Sequence, residues 1–321
     1  MPKAATQGEL IVVMQKHLLL LLVALLSACA TAPTPAPGLA GVLADPGQRT
    51  ATPMRVMTFN LRYNNTGDGP NSWPYRKAWV AQLIRFHDAD VVGVQEALYG
   101  MLADLDTLLP EYSRVGVGRT DGQTKGEFSA ILYKRDRLEV RENKTFWLSP
   151  TPEVAGSKGW DAALERIATW GRFRDRATGC EYVHLNTHFD HMGEHARQES
   201  ARLIRERLAT IDAVGLPLVM TGDLNSRPTS VGYRILTRDT IANAFPPLVD
   251  GMTASREGHY GPPSSTVSGF RGIGREGDII DYVLVSPAVE VLKHGILPDS
   301  WDNRFPSDHL PVLATVAIRC K

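Results

Sequence analysis

In Ser307-Asp308-His309-Leu310-Pro311-Val312, near the C-terminus, a carboxylate and an imidazole stand side by side, and an apolar run to Ile318 follows at once. This layout predicts a turn that leads into a buried strand, with both polar groups held where the strand begins. Alone the pair is weak evidence, because ordinary turns also contain Asp-His. Polar side chains end, interrupt or open five other apolar runs, at Asn60, at Glu96, at Asn186 with His188, at Asp223 with Asn225, and at Asp281. We therefore predict one site, assembled at one edge of a sheet sandwich.

Apolar periodicity predicts alternating strands and helices along most of the chain. Strand-like runs occupy 54–60, 90–96, 128–133, 138–148, 182–188, 218–223, 279–285 and 310–318. Helical spacing of apolar residues covers 73–87 and 194–211. The segment 149–170 contains Pro and Gly and predicts irregular structure. No internal repeat or second linker interrupts the pattern, so we predict one catalytic domain over 54–319.

The N-terminal region has the features of an export signal. Lys16 precedes an apolar run, Leu18 to Leu26, that is too short to span a bilayer and has the length of a signal-peptide core. Leu26-Ser27-Ala28-Cys29 resembles a bacterial lipobox, which predicts a lipoprotein signal peptide at 1–28 and lipidation of Cys29. Two alternatives stay open: an ordinary secretory signal cleaved near Ala30, and translation from Met14.

The segment 29–53 is rich in Ala, Pro, Thr and Gly and predicts a flexible tether. We therefore expect an exported lipoprotein, anchored to the membrane of the bacterial cell envelope, with its domain periplasmic or at the cell surface. Beyond the lipobox, only Cys180 and Cys320 remain. A disulfide between them and two unpaired thiols are both open. Neither cysteine lies in a polar cluster, so a catalytic thiol is not expected.

Charge gives no argument for nucleic acid or anionic lipid as a partner. The chain has 35 basic and 35 acidic residues, and removal of 1–28 leaves 33 and 34, a net charge of −1. A neutral chain does not exclude either partner, because charge can be segregated locally.

Six motifs recur in one order: TFN with Asn60, GVQE with Glu96, NTHFDH with His188, TGDLNS with Asp223 and Asn225, IIDYVLVS with Asp281, and SDHLPV with Asp308 and His309. The set resembles the endonuclease/exonuclease/phosphatase superfamily, which includes deoxyribonuclease I, inositol polyphosphate 5-phosphatases, deadenylases and neutral sphingomyelinases. NTHFDH, FWLSPTP and RIATW further resemble a bacterial secreted subgroup. The resemblance covers the region after the tether. It implies an α/β, deoxyribonuclease I-like fold, a four-layer sandwich of two packed mixed β-sheets flanked by helices.

The oxygen-rich residues predict a divalent metal. Glu96 is a hard oxygen ligand that suits Mg²⁺, or alternatively Mn²⁺, with Asn60 and Asp308 assisting directly or through water. Such a sparse set is expected, because Mg²⁺ keeps several waters. The metal would polarise a phosphoryl oxygen. The chain contains no His-Glu-x-x-His motif, so zinc has little support.

The remaining motif residues predict a proton-transfer and phosphate-binding set. Asp223 is expected to orient or deprotonate the attacking water, and Asn225 to position the water or the phosphate. His309, braced by Asp281, would donate to a non-bridging oxygen, with His188 as a second donor. Four further residues are candidate substrate contacts, for which a surface or loop role is equally open. Arg166 and Arg197 could bind phosphate, and Asp190 and His191 could contact the substrate or a second metal. Arg76 and Glu127 rank below them.

These features predict an exported Mg²⁺-dependent phosphoesterase that hydrolyses P–O bonds of a phosphorylated small molecule or phosphodiester by direct attack of water. The alternatives are a secreted nuclease, a sphingomyelinase-like phospholipase C and an inactive binding module. No apolar hairpin for bilayer insertion is evident, and the intact polar set argues against the binding module. No feature indicates a protein partner. Monoester or diester, and one metal or two, stay open.

Overall fold

The first strand, β1 (Met54–Asn60), is buried along both faces. Met57 and Phe59 enter a core shared with helices, whereas Met54 and Val56 enter a second core between two sheets. On the face of β1 that contacts this second core, the apolar residues Met54 and Val56 are followed by the polar residues Thr58 and Asn60 at the end of the strand. A strand with no solvent face has to be covered by structural layers on both sides.

The structure is a computed structural model that describes residues 52–211, 215–274 and 278–319. These residues belong to one compact unit, 47–321. The predicted signal peptide and nearly all of the predicted tether lie outside the described residues, as does Cys320. Cys180 is disulfide-bonded. Within the described ranges, no helix has both the length and the apolar character that a membrane crossing requires.

The remaining strands are β2 (Val91–Ala97), β3 (Tyr112–Val115), β4 (Phe128–Lys134), β5 (Leu138–Trp147), β6 (Ile167–Asp175), β7 (Glu181–His188), β8 (Leu218–Asp223), β9 (Val249–Asp250), β10 (His259–Tyr260), β11 (Asp281–Val285), β12 (Val289–Ile296) and β13 (Val312–Ile318). The helices are α1 (Trp73–Phe86), α2 (Tyr99–Leu108), α3 (Glu194–Ile211), α4 (Val231–Thr237) and α5 (Gly251–Ala254), and a 3₁₀ helix covers Thr66–Asn71.

Two mixed sheets form the middle of the molecule. One has seven strands in the order β10-β12-β13-β1-β2-β4-β3, and the other has six in the order β5-β6-β7-β8-β11-β9. Helices α1 and α2 share one apolar core with the first sheet, and α3 and α4 share another with the second. A third core fills the space between the sheets. The predicted four-layer α/β sandwich is therefore confirmed.

All eight predicted strands and both predicted helices are present, but the segment predicted to be irregular, 149–170, ends in a strand. Its last four residues, from Ile167, belong to β6, which pairs with both β5 and β7. Most side chains of β6 are buried, so the strand lacks the alternation that marks a half-buried one. Sequence reasoning also missed strands β3, β9, β10 and β12 and helices α2, α4 and α5.

A polar layer joins the two sheets next to the predicted site. Gln95 on β2 donates from Nε2 to Oδ1 of Asn186 on β7, at 2.7 Å, and Thr221 on β8 donates to the same oxygen at 3.0 Å. Gly93 lies opposite, where a Cβ atom would stand 2.1 Å from Oγ1 of Thr221. A residue without a side chain therefore lets the sheets approach closely, and buried hydrogen bonds hold them in register.

Candidate active site

Strand register brings the predicted polar residues to one edge of both sheets. Parallel pairing of β7 with β8 places His188 opposite Asp223, and antiparallel pairing of β8 with β11 places Asp281 opposite the same residue. In the other sheet, Asn60 pairs with Gln95, the residue before Glu96. Nδ2 of Asn60 donates to Oδ2 of Asp223 at 3.0 Å and so connects the two groups across the sandwich.

Asp223 lies at the centre of the site and is 1% exposed. Its Oδ1 accepts from the backbone N–H of Asn225 at 2.9 Å. Burial raises the pKa of Asp223 to about 7, and the negative charge of Asp281 adds to the effect. A carboxylate with a pKa near neutral and a fixed orientation suits a general base.

His309 and Asp281 form a buried hydrogen-bonded pair, with Nδ1 of the imidazole 2.8 Å from Oδ2 of the carboxylate. Burial by itself lowers the pKa of His309, but the charge of Asp281 and this hydrogen bond outweigh it and hold the pKa well above 6.5. With Nδ1 committed to Asp281, Nε2 remains for a ligand, and His309 lines the active-site cavity. The pair can therefore offer a positively charged donor.

His188 holds Asn225 in place. The Asn225 side-chain amide donates from Nδ2 to the carbonyl of Phe189 at 3.0 Å, which fixes its orientation, and the same nitrogen lies 3.1 Å from Nε2 of His188. An amide nitrogen only donates, so Nε2 of His188 accepts. Burial, with the charge of Arg166, lowers the pKa of His188 well below 6.5. In this arrangement a neutral His188 orients the Asn225 amide.

The three predicted metal ligands surround one end of the site. Glu96 has a left-handed backbone (φ 57°) within an irregular part of the β2–β4 pairing, and its Oε1 accepts from Nδ2 of Asn60 at 3.0 Å. Burial raises the pKa of Asp308, and the charge of Glu96 raises it further, although His309 opposes the change. The Asn60 oxygen Oδ1 accepts from the backbone N–H of Arg62 at 2.9 Å and keeps a second lone pair. The two carboxylates, with this oxygen, fit a hard cation such as Mg²⁺, which would relieve the repulsion between the carboxylates.

A second group has metal-ligating spacing. One ligand atom from each of Asp223, Asp281 and His309 lies within 4.8 Å of the others, and all three residues are buried. Nδ1 of His309 is already bound to Asp281. We therefore treat this group as the proton-handling part of the site, and Glu96 with Asp308 as the candidate metal ligands.

The four predicted substrate contacts divide into two pairs. Arg166 and His191 line the cavity, whereas Asp190 and Arg197 do not. Asp190 is 1% exposed and accepts from the backbone N–H groups of Leu164, Met192 and Gly193. Arg197 donates to the Asp190 carbonyl at 3.0 Å. Asp190 and Arg197 therefore shape the loops beside the cavity.

Two arginines follow or support the β1 strand end, and sequence reasoning missed the first and ranked the second low. Arg62 has a left-handed backbone (φ 53°), binds Asp68 through Nε and Nη2, and lines the cavity. Arg76, ranked low from the sequence, is fully buried and donates to the carbonyls of Leu61, Arg62 and Pro306. Arg76 thus joins the β1 loop to the segment just before Asp308. The one sequence feature that indicates a role for Arg62 in the site is its position two residues after Asn60.

The site opens into a cavity of about 430 Å³, lined by Arg62, Tyr63, Glu96, Glu127, Leu164, Arg166, His188, His191, Asp223, Asn225, Asp308 and His309. A cavity of about 640 Å³ near the start of β1 is larger, but its Asp88, Asp90 and Arg137 side chains are bound in ion pairs. Of these two cavities, only the smaller one is lined by a candidate base, a histidine donor and candidate metal ligands.

The fold and this site define a metal-dependent hydrolase of phosphoric ester bonds. The chain belongs to the Endonuclease/Exonuclease/phosphatase family, whose sequence pattern matches residues 57–309. No curated protein sequence matches the chain significantly.

Solved structures agree with this assignment. An endonuclease/exonuclease/phosphatase from Bacteroides vulgatus is 39% identical, with a TM-score of 0.77 over 83% of this chain and 99% of its own. A mannosyl-6-phosphatase from Bacteroides thetaiotaomicron is 35% identical, with a TM-score of 0.76 over 83% of this chain and 100% of its own. The human Nocturnin catalytic domain, at 19% identity and a TM-score of 0.63 over 83% of this chain and 93% of its own, shares the fold.

Proposed function

We propose that this chain is an exported Mg²⁺-dependent phosphomonoesterase that removes phosphate from a phosphorylated sugar by direct attack of water. The observation that carries the proposal is the convergence of Asp223, the His309–Asp281 pair and the Glu96–Asp308 carboxylates on one cavity. The 35% identical mannosyl-6-phosphatase supports a sugar phosphate as substrate. The cavity volume, about 430 Å³, has room for a compact substrate such as a sugar phosphate.

In this mechanism Asp223 accepts the proton of the attacking water, and its two oxygens are held for that task by Asn60 and the Asn225 backbone. As the water oxygen bonds to phosphorus, the bond between phosphorus and the sugar oxygen breaks, and the sugar oxygen takes up a proton from solvent. His309 donates from Nε2 to a phosphoryl oxygen as negative charge develops, while Asp281 stabilises the charged imidazole. Mg²⁺ bound by Glu96, Asn60 and Asp308 would polarise a phosphoryl oxygen.

Three of the four arginines of α3 give no support to a nuclease. Arg205 is 1% exposed and donates to the carbonyls of Phe245, Ile235 and Asp239. Arg202 pairs with Glu199, and Arg207 with Glu153. A phosphate-binding track needs cations that are free to neutralise phosphates, and these three are committed within the protein.

Cleavage of three classes of substrate tests the proposal, with released phosphate measured for the sugar phosphates, released 4-nitrophenol for the diester and strand cleavage for the DNA. The purified domain is assayed on hexose 6-phosphates, bis(4-nitrophenyl) phosphate and duplex DNA, with Asp223→Asn as the inactive variant and Asp106→Asn, an exposed acid paired with Arg114, as the control. We expect sugar-phosphate cleavage by wild type and Asp106→Asn only. Submicromolar binding of duplex DNA with a steep salt dependence, or cleavage of the diester alone, would favour a nuclease or diesterase instead.

Export is proposed from the apolar run and the lipobox-like Leu26 to Cys29. Cys29→Ser should release the protein from the membrane fraction or block its processing, whereas Asp106→Asn should leave it membrane-bound. Wild-type protein found entirely in the cytoplasm would contradict this part of the proposal.

A further inference from the structure

One wall of the cavity consists of side chains that the proposed mechanism does not use. His191, with 48% of its side chain exposed, and Leu164, 38% exposed, both line the cavity. Leu164 has no polar group to offer a phosphoryl dianion. The cavity therefore contains a mixed polar and apolar surface that suits another part of the substrate.

A chain of hydrogen bonds sets the orientation of His191. The Asp190 carboxylate accepts from Leu164, Met192 and Gly193 backbone N–H groups, at 3.2, 3.0 and 2.8 Å, and from Nε of Arg166 at 3.3 Å. Arg166, itself only 4% exposed, then places Nη2 at 3.0 Å from Nδ1 of His191. The buried carboxylate thus fixes the arginine, and the arginine fixes the imidazole.

This chain also selects the tautomer of His191. A guanidinium group only donates hydrogen bonds, so Nδ1 of His191 must accept from Arg166. The ring proton then lies on Nε2. Oδ2 of Asp190 is 3.9 Å from the same Nδ1, too far to compete as a hydrogen-bond partner. His191 therefore carries its N–H donor on the nitrogen that Arg166 does not occupy.

We propose that His191 recognises the leaving group, donating from Nε2 to a hydroxyl or ring oxygen of a sugar while Leu164 contacts the C–H face of the ring. This inference rests on the proposed phosphomonoesterase function. It identifies the sugar leaving group as the part of the substrate that this wall of the cavity recognises. His191 is a specificity residue in this account. Arg166 and Asp190 are positioning residues that act through it.

Substrates with and without sugar hydroxyls test the proposal. His191→Phe, His191→Gln and the control His195→Phe, a histidine with 60% of its side chain exposed on α3, are assayed on mannose 6-phosphate and 4-nitrophenyl phosphate. We expect His191→Phe to raise KM for mannose 6-phosphate about tenfold, the loss of roughly one hydrogen bond, with the constants for 4-nitrophenyl phosphate unchanged. His191→Gln, which retains an N–H donor, should recover most of the loss, and His195→Phe should behave as wild type.

Equal losses on both substrates, or no loss on either, would overturn the proposal for His191 while leaving the phosphomonoesterase function intact. A wild-type protein with no activity on any sugar phosphate would instead refute the proposed function, and this inference with it. A second measurement tests the geometry without turnover. Nitrogen-15 NMR of histidine-labelled protein, with His191 assigned from its absence in His191→Phe, should show the proton on Nε2, and a proton on Nδ1 alone would contradict the Arg166 contact.

Discussion

Removal of Asp281 should disable His309, because the carboxylate is the imidazole's partner at Nδ1. The two residues are 2% and 9% exposed, and 2.8 Å separates the bonded atoms. A hydrogen bond to a charged group contributes about 1.5–3 kcal/mol. If this energy acts mainly in the transition state, Asp281→Asn should lower kcat/KM roughly 10- to 150-fold.

The assay is kcat/KM for mannose 6-phosphate in Asp281→Asn, His309→Ala and the double variant. If the two act as one unit, the double variant should be no more than a few-fold slower than His309→Ala. His87→Ala with Asp299→Asn is the matched control, since this pair is 3.0 Å apart and more exposed. Circular dichroism checks that each variant is folded. A double variant whose loss equals the product of the single losses would refute the pairing.

Calorimetric titration should show that Glu96→Gln binds Mn²⁺ at least about tenfold more weakly than wild type, because a proposed ligand is lost. Asp223→Asn should retain most of the affinity. Equal affinity for wild type and Glu96→Gln would contradict the ligand assignment. Burial, with a smaller effect of His259, lowers the pKa of His294 from 6.5 to about 3. The unfolded chain therefore takes up a proton between these values that the folded chain does not, and stability is lost as pH falls through 6.5. The free energy of unfolding, measured in urea, should fall by about 2 kcal/mol less between pH 7.5 and 5 in His294→Gln than in wild type. The same pH dependence in both proteins would contradict this role of His294.

The strands that carry the site could be predicted because their chemistry is local. β1 and β8 combine apolar interiors with a polar last residue, a pattern typical of a buried strand that ends at a polar site. β6 and β12 were both missed, because β6 is buried along most of its length and lacks an alternating pattern, and β12 is defined by its pairing. β12 pairs with β13 and also has an irregularity near Lys293. Neither pairing nor a bulge leaves a clear local pattern.

The site shows a similar division. Residues inside motifs, such as Asp223 and His309, were identified from their neighbours in sequence. The role of Arg76 depends on three carbonyls, two from the β1 loop and one from Pro306, 230 positions away. The acceptor role of His188 depends on the orientation of the Asn225 amide. Such roles are set by tertiary contacts and could not be predicted from composition or spacing.

Phosphate release from mannose 6-phosphate, measured with the purified domain in Mg²⁺, after EDTA, and after Mg²⁺ is restored, tests the central claim most directly. The site assigns hydrolysis to Asp223 and His309 together with a cation held by Glu96 and Asp308. We therefore expect release in Mg²⁺, its loss in EDTA and its recovery when Mg²⁺ is restored, with Asp223→Asn inactive throughout. Release that EDTA does not affect, or no release from any phosphorylated sugar while duplex DNA is cleaved, would contradict the account.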